Sequence, residues 1–521
     1  RLLAIIPYVA GRGPVPLDEV VQRFSYPRAD LVRDLTGVVD YVGVAPFTPD
    51  TMLEVTVDDE HVWIEYAKWF ERPMRLEPGE ALAFVLVADT AANFLLFAPV
   101  FIITNGGPDM ALPPPDMARG GPTIDPGPIS MSNISMQEAE THVATASNGF
   151  VAVAYIGLQR GGDSTNGYRF SKDDGATWEP PASLDSPNGQ VASDPVLATD
   201  AAGNFYMTWI GFKFDNRGQP YDMHVWAAKA PAGTTTFGAP VEVTSNPQGR
   251  TQYDKPWILV LNDGSILVTY AKTSTGGIFA ATTRDFATWN TATMIEDGGF
   301  RNLVFPCQPT TGSRVYVTHA VASNQGISGI GLRWSNDGGV TWEQANRSAV
   351  AAQGEMLAFD DPSCAAEGNE VWVSYGLTRD RVSNVQSPKL SSIRIAHSTD
   401  GGMTIADRFD GHDAGAATYF MHPYIVREQN GALDLVYYAG NSEGDPMGSF
   451  RRSRSTDGGR TWATSMTVRS PITYLGARAS QQWLGDYVGL AWARNNVYTA
   501  FVDNSSGTAH VAFYRTAAPM P

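Results

Sequence analysis

Acidic residues recur at the start of short apolar segments in the later part of the chain, and carboxylates can do acid–base chemistry. Each segment ends in an aromatic residue about fifteen positions later, as from Asp194 to Trp209. The seven segments start at Glu140, Asp194, Asp254, Phe305, Asp361, His422 and Asp486. If these starts meet at one place, the carboxyl groups raise one another's pKa and can supply the general acid and base of glycoside hydrolysis.

Residue type divides these side chains and their neighbours into two roles. The catalytic candidates are Asp194, Asp254, Asp361 and Asp486. The substrate-binding candidates are Glu140, Lys255, Arg301 and His422. Two other interpretations stay open, because an Asp before Pro can cap a turn by bonding backbone N–H groups, and a ring of oxygen ligands could hold Ca²⁺. The sequence therefore predicts a site that requires no cofactor, with bound Ca²⁺ as the alternative.

The elements that must position these residues are repeated units. Successive starts lie between 51 and 64 residues apart, a period typical of stacked units that cannot bury their own faces alone. Each unit has room for four strands and so predicts one blade of a β-propeller, whose innermost strands line a central tunnel. The seventh unit has only three strands, and residues near 129–134 would have to supply its outer strand and close the ring. We therefore predict seven blades, with six blades and an extra hairpin as the alternative.

A second repeat, independent of the first, follows the pattern Ser-x-Asp-x-Gly-x-Thr-Trp. Intact copies begin at Ser171, Ser335 and Ser455, and degenerate copies begin at Thr283 and Ser398. Asp, Ser and Thr bond neighbouring backbone groups in turns, Gly takes positive φ, and Trp covers the turn with a large apolar face. The pattern therefore predicts structural hairpin turns. Their marker residues are Asp173, Trp178, Asp285, Asp337, Trp342, Asp400, Asp457 and Trp462.

This pattern resembles the Asp-box, or bacterial neuraminidase repeat, of the sialidase-like β-propellers. The resemblance covers residues 129–521, and the phrases 483–490 and 254–257 are similar to those of exported Asp-box proteins. In that family the box is a structural turn remote from the active site. The resemblance implies a mainly β protein with a sialidase-like propeller that is secreted.

The sialidases of this family hold the substrate carboxylate with three arginines and use a Tyr nucleophile, activated by a Glu, with an Asp acid/base. Their first-arginine motif, an aromatic residue followed by Arg-Ile-Pro, is absent here, and the nearest phrase is Phe300-Arg301-Asn302-Leu303. Sialidases also have six blades rather than the seven counted here. We therefore assign no sialidase catalytic role to any residue of this chain. The other available arginines are Arg160, Arg250, Arg394, Arg452 and Arg478.

Residues 1–88 share neither repeat and predict a small winged-helix segment, because helix, turn, helix and β-hairpin is winged-helix order. The predicted elements are helices over 17–24 and 28–39 and strands over 52–57 and 61–65. Phrases such as 31–35 and 72–82 resemble the amino-terminal part of bacterial WYL-domain transcription regulators. The resemblance implies that Arg28 and Arg33 lie near DNA. A relict or mis-joined segment without present function is the alternative.

Residues 89–128 predict a join between these two parts. The apolar run 94–104 is too short to span a membrane and could be the remnant of an export signal. The Pro- and Gly-rich stretch after it is typical of a stiff linker. The net charge of −17 argues against nucleic acid or an anionic membrane as the partner of most of the chain.

The two cysteines, Cys307 and Cys364, hold nearly equivalent places in neighbouring units. They predict two buried, small apolar side chains. A disulfide between neighbouring inner strands is the alternative, and it would favour an oxidising compartment.

Three functions follow from these patterns. The first is a secreted, sialidase-like glycoside hydrolase that acts on the terminal sugars of glycans at the central mouth. The second is a non-catalytic propeller, secreted or at a cell surface, that binds glycan or protein. The third is a DNA-binding regulator that acts through residues 1–88 and would be cytoplasmic. A glycan is therefore the expected partner, and DNA is not.

Overall fold

The computed structural model divides the chain into two units, Arg1–Arg119 and Gly120–Pro521. The residues that it describes are 5, 8–9, 12, 14–24, 26–28, 31–32, 35, 54–57, 61–65, 128–129, 137–158, 164–215, 219–246, 251–297, 300–323, 326–343, 348–353, 355–358, 360–378, 391–412, 417–442, 445–473, 475 and 482–517. No helix in these ranges has the length and apolar character needed to cross a membrane.

The first unit contains one described helix and one small sheet. Helix α1 is Leu17–Phe24, as predicted. The strands are β1 (Val15–Pro16), β2 (Glu54–Val57) and β3 (His61–Glu65), in the order β1-β3-β2. Side chains of the helix pack on buried residues such as Ile5, Leu31 and Val62, because one face of α1 is apolar.

Several predictions for the first unit lie outside the described residues. These are most of the second helix over 28–39, the turn at 58–59, Arg33 and the join at 89–127. Arg28 is described, and its guanidinium is paired with the Asp18 carboxylate of α1. That pairing neutralises one of the two arginines that the resemblance places near DNA.

The second unit is a ring of seven four-stranded antiparallel sheets, which confirms seven blades. Blades 1 and 2 are β5 (Gln137–Thr145), β6 (Val151–Leu158), β7 (Ser164–Ser171), β8 (Ala182–Leu184), then β9 (Val191–Thr199), β10 (Phe205–Phe214), β11 (Pro220–Ala230), β12 (Val241–Glu242). Blades 3 and 4 are β13 (Tyr253–Val260), β14 (Ile266–Lys272), β15 (Ile278–Thr283), β16 (Thr293–Glu296), then β17 (Phe300–Cys307), β18 (Val315–Ser323), β19 (Gly326–Ser335), β20 (Ser348–Ala349). Blades 5 and 6 are β21 (Ser363–Glu367), β22 (Glu370–Thr378), β23 (Ser391–Ser398), β24 (Asp407–Asp410), then β25 (Tyr419–Arg427), β26 (Leu433–Gly440), β27 (Gly448–Ser455), β28 (Met466–Ile472).

Blade 7 closes the ring with a strand from the other end of the propeller sequence. Its first three strands are β29 (Gly489–Ala493), β30 (Asn496–Asp503) and β31 (His510–Ala517). The outer strand is β4 (Pro128–Ile129), which pairs with β31 through Val511 opposite Ile129. The predicted closure near residue 129 is therefore confirmed, and it covers an edge that would otherwise be open.

The first strand of each blade contacts the first strand of the next, from β5 round to β29 and back to β5. These seven strands therefore form the innermost ring, and any side chains at their starting ends converge on one mouth. A short 3₁₀ helix, Pro187–Gly189, lies just before β9.

A disulfide between Cys307 and Cys364 joins the inner strands of blades 4 and 5, with Cα atoms 5.8 Å apart. The prediction of two free buried thiols is therefore wrong, and the alternative is what the structure contains. The reason is geometric, since the end of β17 lies beside the start of β21. Both residues are buried.

The predicted turns connect the third and fourth strands of their blades, so they lie away from the innermost ring. In the first one Asp173 Oδ1 accepts from the Thr177 N–H at 2.7 Å, and Ser171 Oγ accepts from the Gly175 N–H at 2.8 Å. Equivalent bonds form at Asp337, Asp400 and Asp457. In the degenerate copy Asp285 accepts from the Thr288 N–H at 2.7 Å. Trp178, Trp342 and Trp462 pack against neighbouring apolar residues, so the structural prediction is confirmed.

Candidate active site

Five of the seven inner strands carry the same irregularity at their starting ends. The ladder shifts register, as between Asp254 and Trp257 of β13, and the residue at the shift has a left-handed backbone without being glycine. These residues and φ values are Glu140 (45°), Asp194 (57°), Lys255 (47°), Leu303 (56°) and His422 (53°). A bulge redirects the side chains beside it. Left-handed φ at non-glycine residues costs about 1–3 kcal/mol each, and such strain is concentrated at functional sites.

The bulges show that the predicted starting residues of the inner strands were misplaced in two blades. In blade 3 the residue in the bulge is Lys255, one position after the predicted start Asp254. In blade 4 it is Leu303, two positions before the predicted start Phe305. The Phe305 ring instead lies 4.5 Å from the Trp257 ring, in the apolar layer beneath the mouth.

Lys255 is the centre of a buried cluster of charges. Its Nζ atom lies 2.8 Å from Glu140 Oε1, 2.8 Å from Asp486 Oδ2 and 3.9 Å from Asp194 Oδ1. The Lys255 side chain is 7% exposed, whereas that of Asp486 is 28% exposed and reaches the mouth. Blades 1, 2, 3 and 7 therefore bring four predicted site residues together.

Asp254 stands beside this cluster, because the Lys255 N–H faces both Asp254 and, at 3.3 Å, Asp194 Oδ2. Its Oδ1 accepts from the Lys255 N–H at 2.9 Å, and its Oδ2 accepts from Asn302 Nδ2 at 2.7 Å. Unlike Glu140 and Asp194, Asp254 is only partly buried. It is thus a carboxyl group held by two donors at the edge of the cluster.

Blades 5 and 6 supply the opposite side of the mouth. The His422 N–H donates to Asp360 Oδ1 at 3.0 Å, and the ring Nδ1 lies 3.0 Å from the same oxygen. The Tyr424 hydroxyl lies 3.5 Å from Asp361 Oδ2. Asp360, Asp361 and His422 are all buried. Two more predicted site residues, Asp361 and His422, therefore belong to the same assembly.

Several buried polar atoms of this assembly have no hydrogen-bond partner within the described structure. They are Glu140 Oε2, Asp361 Oδ1 and Nε2 of His422. Buried polar atoms are normally paired, and an unpaired one costs about 1–3 kcal/mol. Such atoms are available to a ligand or to ordered water.

The carboxyl groups differ in the direction of their pKa shifts. Burial raises the pKa of Glu140 and of Asp361, and the Asp194 charge adds to the shift of Glu140. Burial also raises the pKa of Asp254, to about 7, although the Lys255 ammonium opposes it. Burial acts on Asp194 too, but there the Lys255 ammonium and hydrogen bonds outweigh it and lower the pKa. Neighbouring carboxyl groups of one site are therefore shifted in opposite directions, a pattern that assigns acid and base roles in enzymes.

The Lys255 ammonium keeps its proton in this setting. Burial alone would lower the pKa of Lys255, but the charges of Asp194, Asp486 and Glu140 outweigh burial and raise it. The ammonium thus lies where a bound cation would otherwise balance these carboxylates. The described residues contain no group of three or more His, Cys, Asp or Glu side chains arranged to hold a metal ion. Bound Ca²⁺ stays a prediction.

An aromatic layer supports the cluster. The Trp257 ring lies 5.5 Å from the Tyr487 ring and 6.2 Å from the Tyr424 ring. The Tyr487 hydroxyl donates to the Pro195 carbonyl at 3.1 Å. Burial raises the pKa of Tyr424 and of Tyr487, so both phenols stay neutral at ordinary pH.

The remaining candidates are not brought to the centre by any described contact. Arg301 lies on β17, opposite Val321, and its side chain is outside the described part. Arg394 pairs with Asp410, and Arg452 is buried against Asp434 in blade 6. Among the described residues, therefore, no three arginines converge on the mouth. Arg160, Arg250 and Arg478 lie outside the described ranges.

The sequence interpretation missed four residues of the site, Asn302, Asp360, Tyr424 and Tyr487. Asp360, Tyr424 and Tyr487 lie within two positions of a predicted start, whereas Asn302 lies three positions before the predicted start Phe305. A search of both neighbours of every acidic start would have found Asp360 and Tyr487. Asn302 needed the corrected position of the fourth bulge.

Comparisons with known proteins agree with this architecture. Residues 1–96 match the model of the PafC helix-turn-helix domain, and no curated protein sequence matches the chain. A polysaccharide lyase, an ulvan lyase bound to -[GlcA(1-4)Rha3S]-, is 10% identical with a TM-score of 0.50, over 75% of this chain and 96% of that one. A protein of unknown function from Dyadobacter fermentans is 16% identical with a TM-score of 0.45, over 76% and 98%. NanB sialidase from Streptococcus pneumoniae is 11% identical with a TM-score of 0.41, over 75% and 70%.

At these identities the structural similarity concerns the fold and not the chemistry. The chain therefore combines a segment similar to the PafC helix-turn-helix domain with a seven-bladed propeller of the kind seen in the ulvan lyase.

Proposed function

We propose that residues 129–521 are a glycoside hydrolase that cleaves terminal sugars of glycans at the central mouth. The observation that carries this proposal is the position of Asp254, which is held by the Lys255 N–H and the Asn302 amide beside the carboxylates that surround the Lys255 ammonium. Burial holds the pKa of Asp254 at about 7, whereas the Lys255 ammonium, with hydrogen bonds, outweighs burial and lowers the pKa of Asp194. Glycoside hydrolysis needs one protonated and one ionised carboxyl group beside the same bond.

Asp254 is the general acid in this proposal. A pKa near the working pH gives a group that is protonated in a large fraction of molecules yet releases its proton readily. Its position at the partly exposed edge of the cluster leaves it accessible to a glycosidic oxygen. Asn302 Nδ2 and the Lys255 N–H both donate to its carboxyl oxygens, so they hold its orientation and stabilise the carboxylate left after proton transfer.

The ionised partner is supplied by the carboxylates around Lys255. Asp486 is the one with the most exposed side chain, and Asp194 lies behind it. A carboxylate in this position stabilises the positive charge that develops on the sugar ring, or activates a water molecule. The Lys255 ammonium favours the charged form of Asp194 although that side chain is buried.

We propose a neutral terminal sugar rather than sialic acid as the substrate unit. The Lys255 ammonium, a described cation at the mouth, already faces carboxylates. A sialoside brings a further carboxylate, which needs its own cation, usually arginine. The Asp-box pattern supports the propeller class and does not by itself select the sugar.

The test is release of 4-methylumbelliferone from a panel of its glycosides, sialoside included, by the full-length chain with and without Ca²⁺. Asp254→Asn should lower kcat by about 10²–10⁴-fold, the usual contribution of a general acid. Asp263→Asn is the matched control, because Asp263 lies on the same blade but at the far end of β13, where it pairs with Arg284. That control should keep the wild-type rate.

A non-catalytic glycan-binding propeller is the outcome if the folded chain turns over no glycoside. If Asp254→Asn turns over as fast as the control, the chain is an enzyme whose general acid is not Asp254. Secretion rests on the disulfide, since such bonds persist in oxidising compartments. DNA contact through residues 1–88 stays a prediction. Those residues contain 8 Lys and Arg against 14 Asp and Glu, which disfavours contact with phosphates.

A further inference from the structure

The bulge residues of the inner strands direct their side chains to the mouth. In blades 1, 2 and 3 these residues are Glu140, Asp194 and Lys255. Their side chains meet in one cluster, where Lys255 Nζ lies 2.8 Å from Glu140 Oε1 and 3.9 Å from Asp194 Oδ1. His422 occupies the corresponding bulge of β25 in blade 6, with φ of 53°. Because repeated blades place equivalent residues at equivalent positions around the axis, the His422 ring belongs to the same mouth.

Asp360 holds the His422 ring in one orientation. Its Oδ1 accepts from the His422 N–H at 3.0 Å and lies 3.0 Å from the ring Nδ1. The carboxylate fits because position 376 is glycine, where a Cβ would lie 2.4 Å from Asp360 Oδ2. The Tyr438 ring packs edge-to-face against the imidazole, with ring centroids 5.9 Å apart. A carboxylate oxygen beside Nδ1 favours the tautomer with its proton on Nδ1, and that tautomer leaves a lone pair on Nε2.

Two buried polar atoms on this side of the mouth have no hydrogen-bond partner within the described structure. They are His422 Nε2 and Asp361 Oδ1, and both residues are only 3% exposed. Burial raises the pKa of Asp361, which favours its protonated form. The Tyr424 hydroxyl faces the other oxygen, Oδ2, at 3.5 Å, which leaves Oδ1 for the proton. Nε2 can therefore accept a hydrogen bond and Asp361 can donate one, and a sugar hydroxyl does both.

We propose that His422 Nε2 and Asp361 Oδ1 recognise a free hydroxyl group of the terminal neutral sugar, and that Asp360 is the positioning residue that orients the His422 ring. This inference rests on the proposed function, which places that sugar at the mouth. A buried polar atom left unpaired costs affinity, so a site built around a hydroxyl discriminates against a sugar that lacks it. The site therefore selects a terminal sugar that is unsubstituted at this hydroxyl and rejects its deoxy and O-methyl analogues.

Two substitutions of the histidine separate the two ring nitrogens. His422→Asn keeps a side-chain N–H near the position of Nδ1 and tolerates left-handed φ, but it has no atom at the position of Nε2. His422→Gln reaches the position of Nε2 and instead loses the group beside Asp360. The matched control is His397→Gln. His397 is 2% exposed and its Nε2 lies 3.6 Å from Glu370 Oε1, but it lies on β23 at the end of the blade opposite the mouth.

The test is isothermal titration calorimetry on the full-length chain carrying Asp254→Asn, so that a bound sugar is not cleaved. The probes are methyl glycosides of glucose, galactose, mannose, xylose, arabinose and N-acetylglucosamine, and then the monodeoxy and mono-O-methyl analogues of the one that binds best. In this parent chain one deoxy position should weaken binding about tenfold, as expected for one hydrogen bond to a buried partner. Adding His422→Asn or Asp360→Ala should bring that ratio of affinities close to one. His422→Gln, Asp360→Asn, which keeps an acceptor for the ring, and the His397→Gln control should retain most of it.

The ratio of affinities is the readout because a merely structural change weakens the binding of a sugar and of its deoxy analogue alike. Thermal melting checks that each variant folds, and Asp360→Ala replaces His422→Asn if the latter does not. An unchanged ratio in these two variants would overturn the recognition, and so would a parent chain that binds none of the probes.

The recognition and the proposed function fail separately. If the wild-type chain turns over a glycoside but the ratio is unchanged in the variants, the hydrolase stands and the unpaired atoms bind ordered water instead. If the ratio changes as expected but the wild-type chain turns over no glycoside, the recognition stands in a propeller that binds sugar without cleaving it.

Discussion

In the bulges of the inner strands at the mouth, left-handed backbone falls on residues with charged or large side chains, whereas at the opposite end of the blades, where the predicted turns lie, it falls mainly on glycine. Glu140, Asp194 and Lys255 have φ near 50°. Gly175, Gly339, Gly402 and Gly459 have φ near 87° in the four turns. Glycine adopts this conformation without steric cost. The strain at the mouth therefore persists for a reason other than folding, as expected of a functional site.

The carboxyl groups of the two ends also differ in the direction of their pKa shifts. At the mouth, burial raises the pKa of Glu140, Asp254 and Asp361. At the turn end, the Thr177 hydroxyl and N–H lower the pKa of Asp173. Turn aspartates thus act as fixed acceptors that shape the chain, whereas mouth carboxyls are held in a protonation state that costs stability when the pH rises.

The largest predicted effect concerns Asp254→Asn and the pH dependence of stability. The pKa of Asp254 in the folded state, about 7, lies above its unfolded value of about 4. The stability that Asp254 contributes is therefore fully present below pH 4 and is lost as the pH rises through 7. The free energy of unfolding of the variant, relative to that of the wild type, should therefore rise by up to about 4 kcal/mol between pH 4 and pH 8, at about 1.4 kcal/mol per pKa unit. The free energy of unfolding in urea, followed at pH 4, 6 and 8, measures this.

In the Asp254→Asn variant, the Asn302 amide can still form a hydrogen bond with the substituted side chain. Asn302 Oδ1 is buried without a hydrogen-bond partner, so a flip of that amide would let it accept from the new side-chain NH₂. Asp173→Asn is the control with the opposite sign, because a lowered folded pKa contributes stability that is lost as the pH falls below 4. The same pH dependence in both variants would contradict the distinction between the two ends.

An intermediate effect is expected where a side chain is added at the turn end. A Cβ at Gly402 would lie 3.1 Å from Leu332 Cδ2 and 3.3 Å from both Trp334 and Tyr316, in a backbone with φ of 86°. Gly402→Ala should therefore lower the free energy of unfolding by about 2 kcal/mol, from backbone strain and crowding together. Gly149→Ala separates the two causes, because φ there is 91° but no atom lies within 4 Å of the Cβ. Equal losses in both variants would show that crowding contributes nothing.

The turn end was more predictable from the sequence than the mouth. A turn is a local pattern, so the residues from Ser171 to Trp178 contain nearly all of the information that forms it. The period likewise predicted seven blades and their closure near residue 129, because each blade must bury its faces on the next. The convergence of Glu140, Asp194 and Asp486 followed from topology alone.

What the sequence did not predict depends on contacts between distant residues. The bulge falls on Lys255 rather than Asp254 because register in the β13–β14 ladder, and not spacing, decides which residue is left over. The pairing of Cys307 with Cys364 depends on how closely two inner strands approach. Asp360 escaped notice because its role is to face His422, some 62 positions away.

The first turn is an exception to the comparison, as is the degenerate turn with Phe286 at φ of 61°, and the first turn provides the smallest predicted effect. Asp174 has φ of 64° where three of the other turns place Gly338, Gly401 and Gly458. Its carboxylate accepts from the Tyr498 hydroxyl at 2.7 Å and is paired with Arg494 and Arg515 of blade 7. Here a charged residue keeps a strained backbone conformation at the turn end, because its carboxylate connects the first blade to the last.

Asp174→Gly should relieve about 1 kcal/mol of strain but remove these charged hydrogen bonds, for a net loss of about 1 kcal/mol. Asp174→Asn, which tolerates left-handed φ and keeps one acceptor, should lose less. Urea unfolding at low and high salt distinguishes the two contributions, because only the charged pairing is screened. A glycine variant more stable than the wild type would show that the strain outweighs the link between the blades. In that case strain borne by a charged residue would no longer distinguish the mouth from the turns.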